Sequence, residues 1–201
     1  MIESRSREGR VKRALDLAVV LLLAPVLLPL SLVVALLVRR RLGSPVFFRQ
    51  ERAGLDGATF SLVKFRTMSM VSDLPDSERL SPFGIRLRAL SLDELPSLVN
   101  VLRGELSLVG PRPLPVKYVP RYGPTYSRRL SVPPGVTGWA QVNGRNSLTW
   151  KEKFDLDLEY VDRSCLLMDL RVLLLTVVQV VRRVDISAPG EATMTEFTGF
   201  E

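Results

Sequence analysis

Asp93 and Glu94 stand side by side at the head of a stretch, Ser91–Pro113, that reads SLDELPSLVNVLRGELSLVGPRP. Adjacent carboxylates can share a hard cation such as Mg²⁺, or divide the work of a nucleophile and its support. The same pair can also be ordinary helix capping. Ser91 and Glu94 form the S-x-x-E pattern of a capping box, which puts Asp93 at the second helical position, where free backbone N–H groups and the helix dipole favour its ionised form. Pro96 has no N–H to give and draws the helix start towards itself. At the far end of the stretch, Pro111 and Pro113 fix the backbone on both sides of Arg112. A guanidinium aimed in this way suits bidentate contact with a phosphate, or a structural ion pair.

Composition narrows the chemistry. The chain has 201 residues and no histidine, which removes the common general base, the histidine-dependent triads and the histidine zinc sites together. A single cysteine, Cys165, excludes an internal disulfide, and its apolar setting predicts a core or membrane-facing residue. A formal net charge of +7 and a pI near 10.1 point to anionic partners: lipid headgroups, nucleotide or phosphate substrates, or nucleic acid. Chemistry therefore falls to carboxylates, Lys and Arg, hydroxyls and a hard metal.

The elements that must position these residues begin with a hydrophobic segment. Leu17–Val38 carries no charge and is flanked by Arg5, Arg7, Arg10, Lys12 and Arg13 on one side and Arg39–Arg41 on the other. As a helix it reaches about 33 Å, enough for a bilayer. Basic residues at both ends cannot both be cytoplasmic if the helix spans. Pro25 and Pro29 each remove a helical hydrogen bond, so the segment reads either as a kinked span or as a re-entrant helix that breaks near Ala24-Pro25 and leaves on the side it entered. Asp16, just inside the apolar boundary, is placed to pair with Lys12 or Arg13.

Beyond Gly43–Pro45, the run Val46–Phe48 and the segment Ala58–Met68 predict a β-hairpin around a turn at Gly54–Gly57. Period two puts Lys64 and Arg66 on one face, as a solvated edge or as phosphate contacts. Residues 71–80 read as a loop, and Arg86 and Arg88 approach the acidic pair in sequence. Leu92, Leu95, Leu98 or Val99, and Leu102 recur at helical spacing up to Gly104. Residues 114–130 interleave basic and aromatic side chains but are broken by prolines and a glycine. The patch could stack a base or lie among headgroups; the membrane segment, and the lack of a recognisable nucleic-acid module, predict no nucleic-acid partner. Ser131–Arg145 is turn-rich, with Asn143-Gly144 aiming Arg145 from a defined loop. Thr149 and Glu152 predict a capped helix over Trp150–Val161. Ser164–Arg183 is apolar but contains Asp169 and Arg171, which favours a buried or interfacial helix over a second span.

Three motifs together, KFRTM at Lys64–Met68, the Ser91–Pro113 stretch and PGVTGWAQVNGR at Pro134–Arg145, resemble the bacterial sugar transferase family, the monotopic polyprenyl-phosphate phosphoglycosyl transferases. The resemblance covers nearly the whole chain. It implies an α+β fold: an N-terminal re-entrant membrane helix (residues 1–41) joined to a small, mostly helical cytoplasmic domain (residues 42–201) with a short β-hairpin and interfacial helices. It implies transfer of a sugar-1-phosphate from a nucleotide diphosphate sugar to a polyprenyl phosphate at the cytoplasmic face of the inner membrane, among membrane phospholipids and with later-acting glycosyltransferases as partners.

On this resemblance Asp93 is the nucleophile, and Mg²⁺ is bound at Asp93 and Glu94. Lys64, Arg88, Arg112 and Arg145 are candidate phosphate-binding residues, and Asp157 lies near the catalytic region. The family breaks its membrane helix at a Ser-Pro, where this chain has Ala24-Pro25, so one hydrogen-bonding stabiliser of the bend is missing. The tail GEATMTEF is similar to that of the minimal members that start N-glycan assembly on a bacillosamine-type sugar. A non-catalytic adaptor that binds anionic lipid through its arginines is the competing expectation.

Overall fold

The computed structural model describes residues 2–70, 75–144, 147–182 and 196–200. Helix α1 runs over Ile2–Leu42. Its part Gly9–Leu42 is long and apolar enough to cross a membrane: its most apolar 18 residues have a mean hydropathy of 2.8, and 11% of them are buried. Both prolines lie inside α1. The expected break at Ala24-Pro25 is therefore corrected: the chain stays helical through both prolines, whose φ suits a helix although each lacks an N–H and its ring crowds the carbonyl four residues before it. The carbonyls of Leu21 and Pro25, four residues before Pro25 and Pro29, lose their helical donors, and proline supplies at most a bend inside a continuous helix.

The two ends of α1 bind one folded body. Near the N-terminal end, Lys12 pairs with Asp169 at 2.5 Å, and Arg13 donates to the carbonyls of Val101 and Leu102. Asp16 pairs directly with neither Lys12 nor Arg13; it is buried, accepting from Ser107 Oγ at 2.7 Å and from the Leu108 N–H at 3.3 Å. Towards the other end, Val34 and Val38 are buried with Phe65 and Leu87. The middle of the helix, including Leu21, Leu22, Val26 and Leu28, is exposed apolar surface.

Strands β1 (Phe47–Ala53) and β2 (Thr59–Phe65) form the hairpin, in a register that pairs Phe47 with Phe65 and Ala53 with Thr59. The strand expected at Val46–Phe48 thus continues to Ala53. Short helices α2 (Asp76–Arg79) and α3 (Pro82–Ala89) follow, the latter capped by Ser81 Oγ on the Gly84 N–H at 3.0 Å. The acidic stretch folds as a 3₁₀ turn, Leu92–Ser97, continuing directly into helix α4, Leu98–Arg103. Gly104 ends α4 with φ of 85°, a conformation glycine adopts without a Cβ penalty.

Strand β3 (Ser107–Val109) comes next, then a 3₁₀ turn over Val116–Arg121, helix α5 (Gly123–Ser127) and a further 3₁₀ turn over Arg128–Ser131. Strand β4 (Gly135–Thr137) pairs parallel with β3, a pairing that the turn-rich reading of this segment does not anticipate. The contact depends on glycine: a Cβ on Gly135 would lie 2.1 Å from the Gly110 nitrogen, and one on Gly138 would lie 2.1 Å from the Gly110 oxygen. Helices α6 (Trp139–Val142), α7 (Trp150–Arg163) and α8 (Leu166–Arg182) complete the domain. The expected capping box is present on α7, with Thr149 Oγ1 accepting from the Glu152 N–H and Glu152 Oε2 accepting from the Thr149 N–H.

One apolar core joins Val20 of α1, Phe60 and Leu62 of the hairpin, Val101, Leu108, Tyr160 of α7 and Val172 of α8. A second is aromatic: Tyr118, Tyr122 and Phe154 enclose Phe197 from the C-terminal segment. Helix α8 buries Val172 but leaves Leu167 (76% exposed), Leu170, Leu174 and Val177 along its other side, the half-buried pattern of an interfacial helix. Cys165, expected in the core or on a membrane face, is exposed at the junction of α7 and α8.

Candidate active site

The acidic pair is held by the hairpin. The outer edge of β2 would present unpaired backbone groups, and Asn100, fully buried on α4, meets them: its Oδ1 accepts from the Val63 N–H at 3.2 Å and its Nδ2 donates to the Ser61 carbonyl at 2.8 Å. Nδ2 also donates to Glu105 at 2.6 Å. This clamp fixes α4, and with it the 3₁₀ turn, against β2. The capping box expected at Ser91 does not form. Ser91 takes φ of 53° and offers no side-chain cap, while its carbonyl accepts from the Glu94 N–H at 3.3 Å. Ser97 Oγ donates to the Glu94 carbonyl at 2.6 Å. Tight 3₁₀ geometry, with Pro96 inside it, replaces the α-helical start.

Asp93 is buried, 9% exposed, on this turn. Among the described residues its carboxylate is met by charges, not by hydrogen bonds. Burial and the neighbouring Glu94 push its pKa up, while Lys64, Arg88 and Arg112 oppose that rise. Glu94 is engaged directly: Lys64 Nζ forms an ion pair with its Oε1, and Arg112 Nη2 lies 3.4 Å from the same oxygen. Burial lowers the Lys64 pKa and Glu94 partly restores it. Arg88, at the end of α3, donates from Nε to Thr67 Oγ1 at 3.1 Å, and its charge acts on Asp93. Arg86 is exposed on α3.

Lys64 and Arg66 do not form the expected pair of neighbouring phosphate contacts. Lys64 faces Glu94, whereas Arg66 is buried just past β2 and donates to the Leu42 carbonyl at the end of α1. The helix end has carbonyls without helical donors, and Arg66 satisfies one of them.

Arg112 projects from a rigid backbone. Its guanidinium is exposed, while its carbonyl accepts from Arg129 Nη2 at 2.7 Å. Arg129 is itself buried, reaching Asp157 Oδ2 with Nε at 3.0 Å and Nη2 at 2.6 Å. The rings of Phe154 and Tyr122 lie 4.9 and 5.3 Å from its guanidinium carbon. Asp157 thus stands behind Arg112, connected to it through Arg129, and its Oδ1 is a buried acceptor without a partner among the described residues. Burial, with the charge of Arg112 adding to it, lowers the pKa of Lys153, one turn before Asp157 on α7, to about 8. Arg145 lies outside the described residues.

A pocket opens between these groups, lined by Arg52, Leu62, Lys64, Glu94, Arg112, Pro113 and Gly135 among others. Arg52 and Lys153 are absent from the sequence expectations, and Arg129 enters them only within the basic–aromatic patch of residues 114–130, not as a buried partner of Asp157. Alternation along β1 was a usable signal for Arg52, since the residues that pair across the hairpin share its faces. Arg129 and Lys153 depend on distant contacts that no local spacing reveals.

Among the described residues no group of three or more His, Cys, Asp or Glu converges. Adjacent hard oxygens at Asp93 and Glu94, beside cations that attract phosphates, do match Mg²⁺, which keeps waters and binds through one or two carboxylates and substrate phosphates.

The chain matches the family described as bacterial sugar transferase over residues 7–183. It is 47% identical over 194 residues to the uncharacterized sugar transferase EpsL of Bacillus subtilis, covering 94% of this chain and 96% of that protein. It is 40% identical over 181 residues to a UDP-glucose:undecaprenyl-phosphate glucose-1-phosphate transferase of Caulobacter vibrioides, covering 83% of this chain and 68% of the relative. A protein of the same description from Escherichia coli is 36% identical over 182 residues, and there the match spans only 39% of a longer chain. With a family match over most of its length and EpsL aligned almost end to end, the chain belongs to the bacterial sugar transferase family.

Proposed function

We propose that the protein transfers a sugar-1-phosphate from a UDP-sugar to undecaprenyl phosphate, giving undecaprenyl-diphosphate-sugar and UMP through a covalent aspartyl phosphosugar. The observation that carries this reading is the Asp93 carboxylate: buried, without a hydrogen-bond partner among the described residues, and faced by Lys64, Arg88 and Arg112. A carboxylate in that state is a nucleophile kept from water, in a field that draws phosphate towards it.

In the first step an Asp93 oxygen bonds to the β-phosphorus, and the bond from that phosphorus to the bridging oxygen breaks. The bridging oxygen leaves with UMP. In the second step an oxygen of undecaprenyl phosphate bonds to the same phosphorus and Asp93 departs as a carboxylate. Lys64 holds Glu94, and Arg112, which also reaches Glu94 and is exposed, would meet the phosphates. Mg²⁺ held by Asp93 and Glu94 would offset charge on the phosphoryl oxygens. The exposed middle of α1 and the exposed apolar side of α8 support a seat at a membrane surface, and the reaction would take place on the cytoplasmic face of the inner membrane, where a water-borne donor and a lipid acceptor meet.

Incubating the purified protein with Mg²⁺ and a donor panel, without acceptor, tests the reading. A phosphosugar adduct on the wild type and none on Asp93→Asn is the expected result. No adduct and no lipid-linked product with any donor would overturn it in favour of a lipid-binding adaptor. The same panel decides the sugar: the tail resemblance favours UDP-N,N'-diacetylbacillosamine or a related N-acetylated sugar, whereas named relatives use UDP-glucose.

A further inference from the structure

The hairpin face that carries Lys64 also carries Arg52. Pairing of Arg52 with Phe60, Gln50 with Leu62 and Phe48 with Lys64 sets Arg52, Leu62 and Lys64 on one side of the sheet, and all three line the pocket with Glu94 and Arg112. Arg52 is tied by Nη1 to the Pro113 carbonyl at 3.1 Å and by Nη2 to Gln50 Oε1 at 2.5 Å. Each of those nitrogens carries two N–H bonds, so each retains one for a further acceptor.

The pocket is also overloaded with positive charge. Arg52, Lys64 and Arg112 line it against the single carboxylate of Glu94. Burial and the charge of Arg112 lower the Arg52 pKa to about 10, which still leaves it protonated at neutral pH. A partly desolvated surplus of this kind favours an incoming anion.

Position along the pocket says which anion. Lys64, at one end of this hairpin face, holds Glu94, the neighbour of Asp93. Arg52 stands four positions along β1 from Phe48, the partner of Lys64, with Leu62 between them, and is tied to Pro113. Arg52 therefore lies at the end of the face away from the Asp93-Glu94 pair. A diphosphate whose sugar-bearing phosphorus sits at Asp93 extends its other phosphate in that direction.

We infer that Arg52 binds the phosphate that departs with the nucleoside, the α-phosphate of the nucleotide sugar. This assignment rests on the transferase reading. When the bond from the β-phosphorus to the bridging oxygen breaks, that oxygen stays with the nucleoside monophosphate, whose phosphate goes from one negative charge to two. A fixed guanidinium there gains strength as the charge develops.

The test compares a ligand that has the phosphate with one that lacks it. UMP and uridine are titrated into the full-length protein in nanodiscs, as wild type, Arg52→Gln and Arg52→Lys. Arg52→Gln should weaken UMP about ten- to a hundredfold, the range of a charged hydrogen bond, and leave uridine unchanged. Arg52→Lys keeps the charge but cannot hold both Pro113 and a phosphate, and should weaken UMP about tenfold. It carries the test if the Gln variant fails to fold. Unchanged UMP affinity in the folded variants, or equal losses for UMP and uridine, would overturn the assignment and leave Arg52 as a tie to Pro113. A wild type that binds no UMP and makes no lipid-linked product overturns the transferase reading with it. A wild type that turns over while UMP binding ignores Arg52 overturns this inference alone.

Discussion

Arg129 grips the Asp157 carboxylate with two nitrogens, at 3.0 and 2.6 Å, and the nearer of them also donates to the Arg112 carbonyl at 2.7 Å. A buried ion pair is thereby connected to the backbone of the residue that reaches Glu94 from the other side of the site. Removing one partner strands a charge in the interior. Arg129→Met and Asp157→Asn should each cost about 3–5 kcal/mol in chemical denaturation. The paired replacement Arg129→Met with Asp157→Leu should recover most of that stability but not the catalytic efficiency, because Arg112 loses its anchor. A residual drop of about tenfold in kcat/KM in the stable double variant is the expected signature. Full recovery of both would reduce the pair to a stability element.

Lys153 makes the site sensitive to alkaline pH. Its pKa is lowered to about 8 by burial and by Arg112, so it is charged below pH 8 and neutral above it. Positive charge near Arg112 then decreases as pH rises from 7 to 9. The KM for the nucleotide sugar should increase over that interval, and Lys153→Gln should start from a higher KM and lose this pH dependence. A profile identical in the two proteins would remove Lys153 from the donor-binding field.

The chemistry of Asp93 opposes its stability. Burial and Glu94 raise its pKa above the ordinary aspartate value of 3.8, so ionising it in the folded state costs free energy. That cost is absent below the unfolded pKa and is complete above the folded one. Asp93→Asn removes it. At neutral pH the variant should melt at a higher temperature than the wild type, with the gain vanishing on acidification, while activity falls by at least about a thousandfold as expected for a lost nucleophile. In the wild type, activity should begin to fall on acidification at a higher pH than an ordinary aspartate would give. Equal melting temperatures at every pH would contradict the burial cost.

How much of this was legible in the sequence depends on how local each signal is. The α7 cap is local: Thr149 and Glu152 stand three apart, and the hydrogen bonds follow that spacing. The hairpin was also local, from two extended runs around a glycine-bounded turn. Ser91 and Glu94 have the same spacing as the α7 pair, yet their box fails: Ser91, two residues after α3, sits at positive φ and makes no side-chain cap hydrogen bond. The β3–β4 pairing joins segments separated by two 3₁₀ turns and α5, so neither segment declares itself alone. Arg129 looks like one more surface arginine until Asp157 and the Arg112 carbonyl arrive from other elements. Asp93, Glu94 and Arg112 could be picked out because residue type alone restricts their chemistry.

The two ends of α1 bear on how the protein meets a membrane. Lys12 and Asp16 are bound to Asp169 and Ser107, while Val34 and Val38 are buried against Phe65 and Leu87, all within one folded body. A helix that crossed a bilayer would have to give up one set. Breaking the half-buried Lys12–Asp169 pair costs about 1.5–3 kcal/mol, the range of a charged hydrogen bond, and withdrawing Val34 and Val38 uncovers Phe65 and Leu87 to water at about 1.5–3 kcal/mol for each side chain. Returning to the side of entry keeps both sets and still immerses the exposed stretch around Leu22 and Val26, with the carbonyls freed by Pro25 and Pro29 as its weak point. Cysteines placed at Arg10 and Arg41, both exposed, in a Cys165→Ser background should therefore react with a membrane-impermeant reagent from the same side of sealed vesicles. Opposite accessibility would mean that the membrane-bound protein has surrendered one of these contact sets, and that α1 spans.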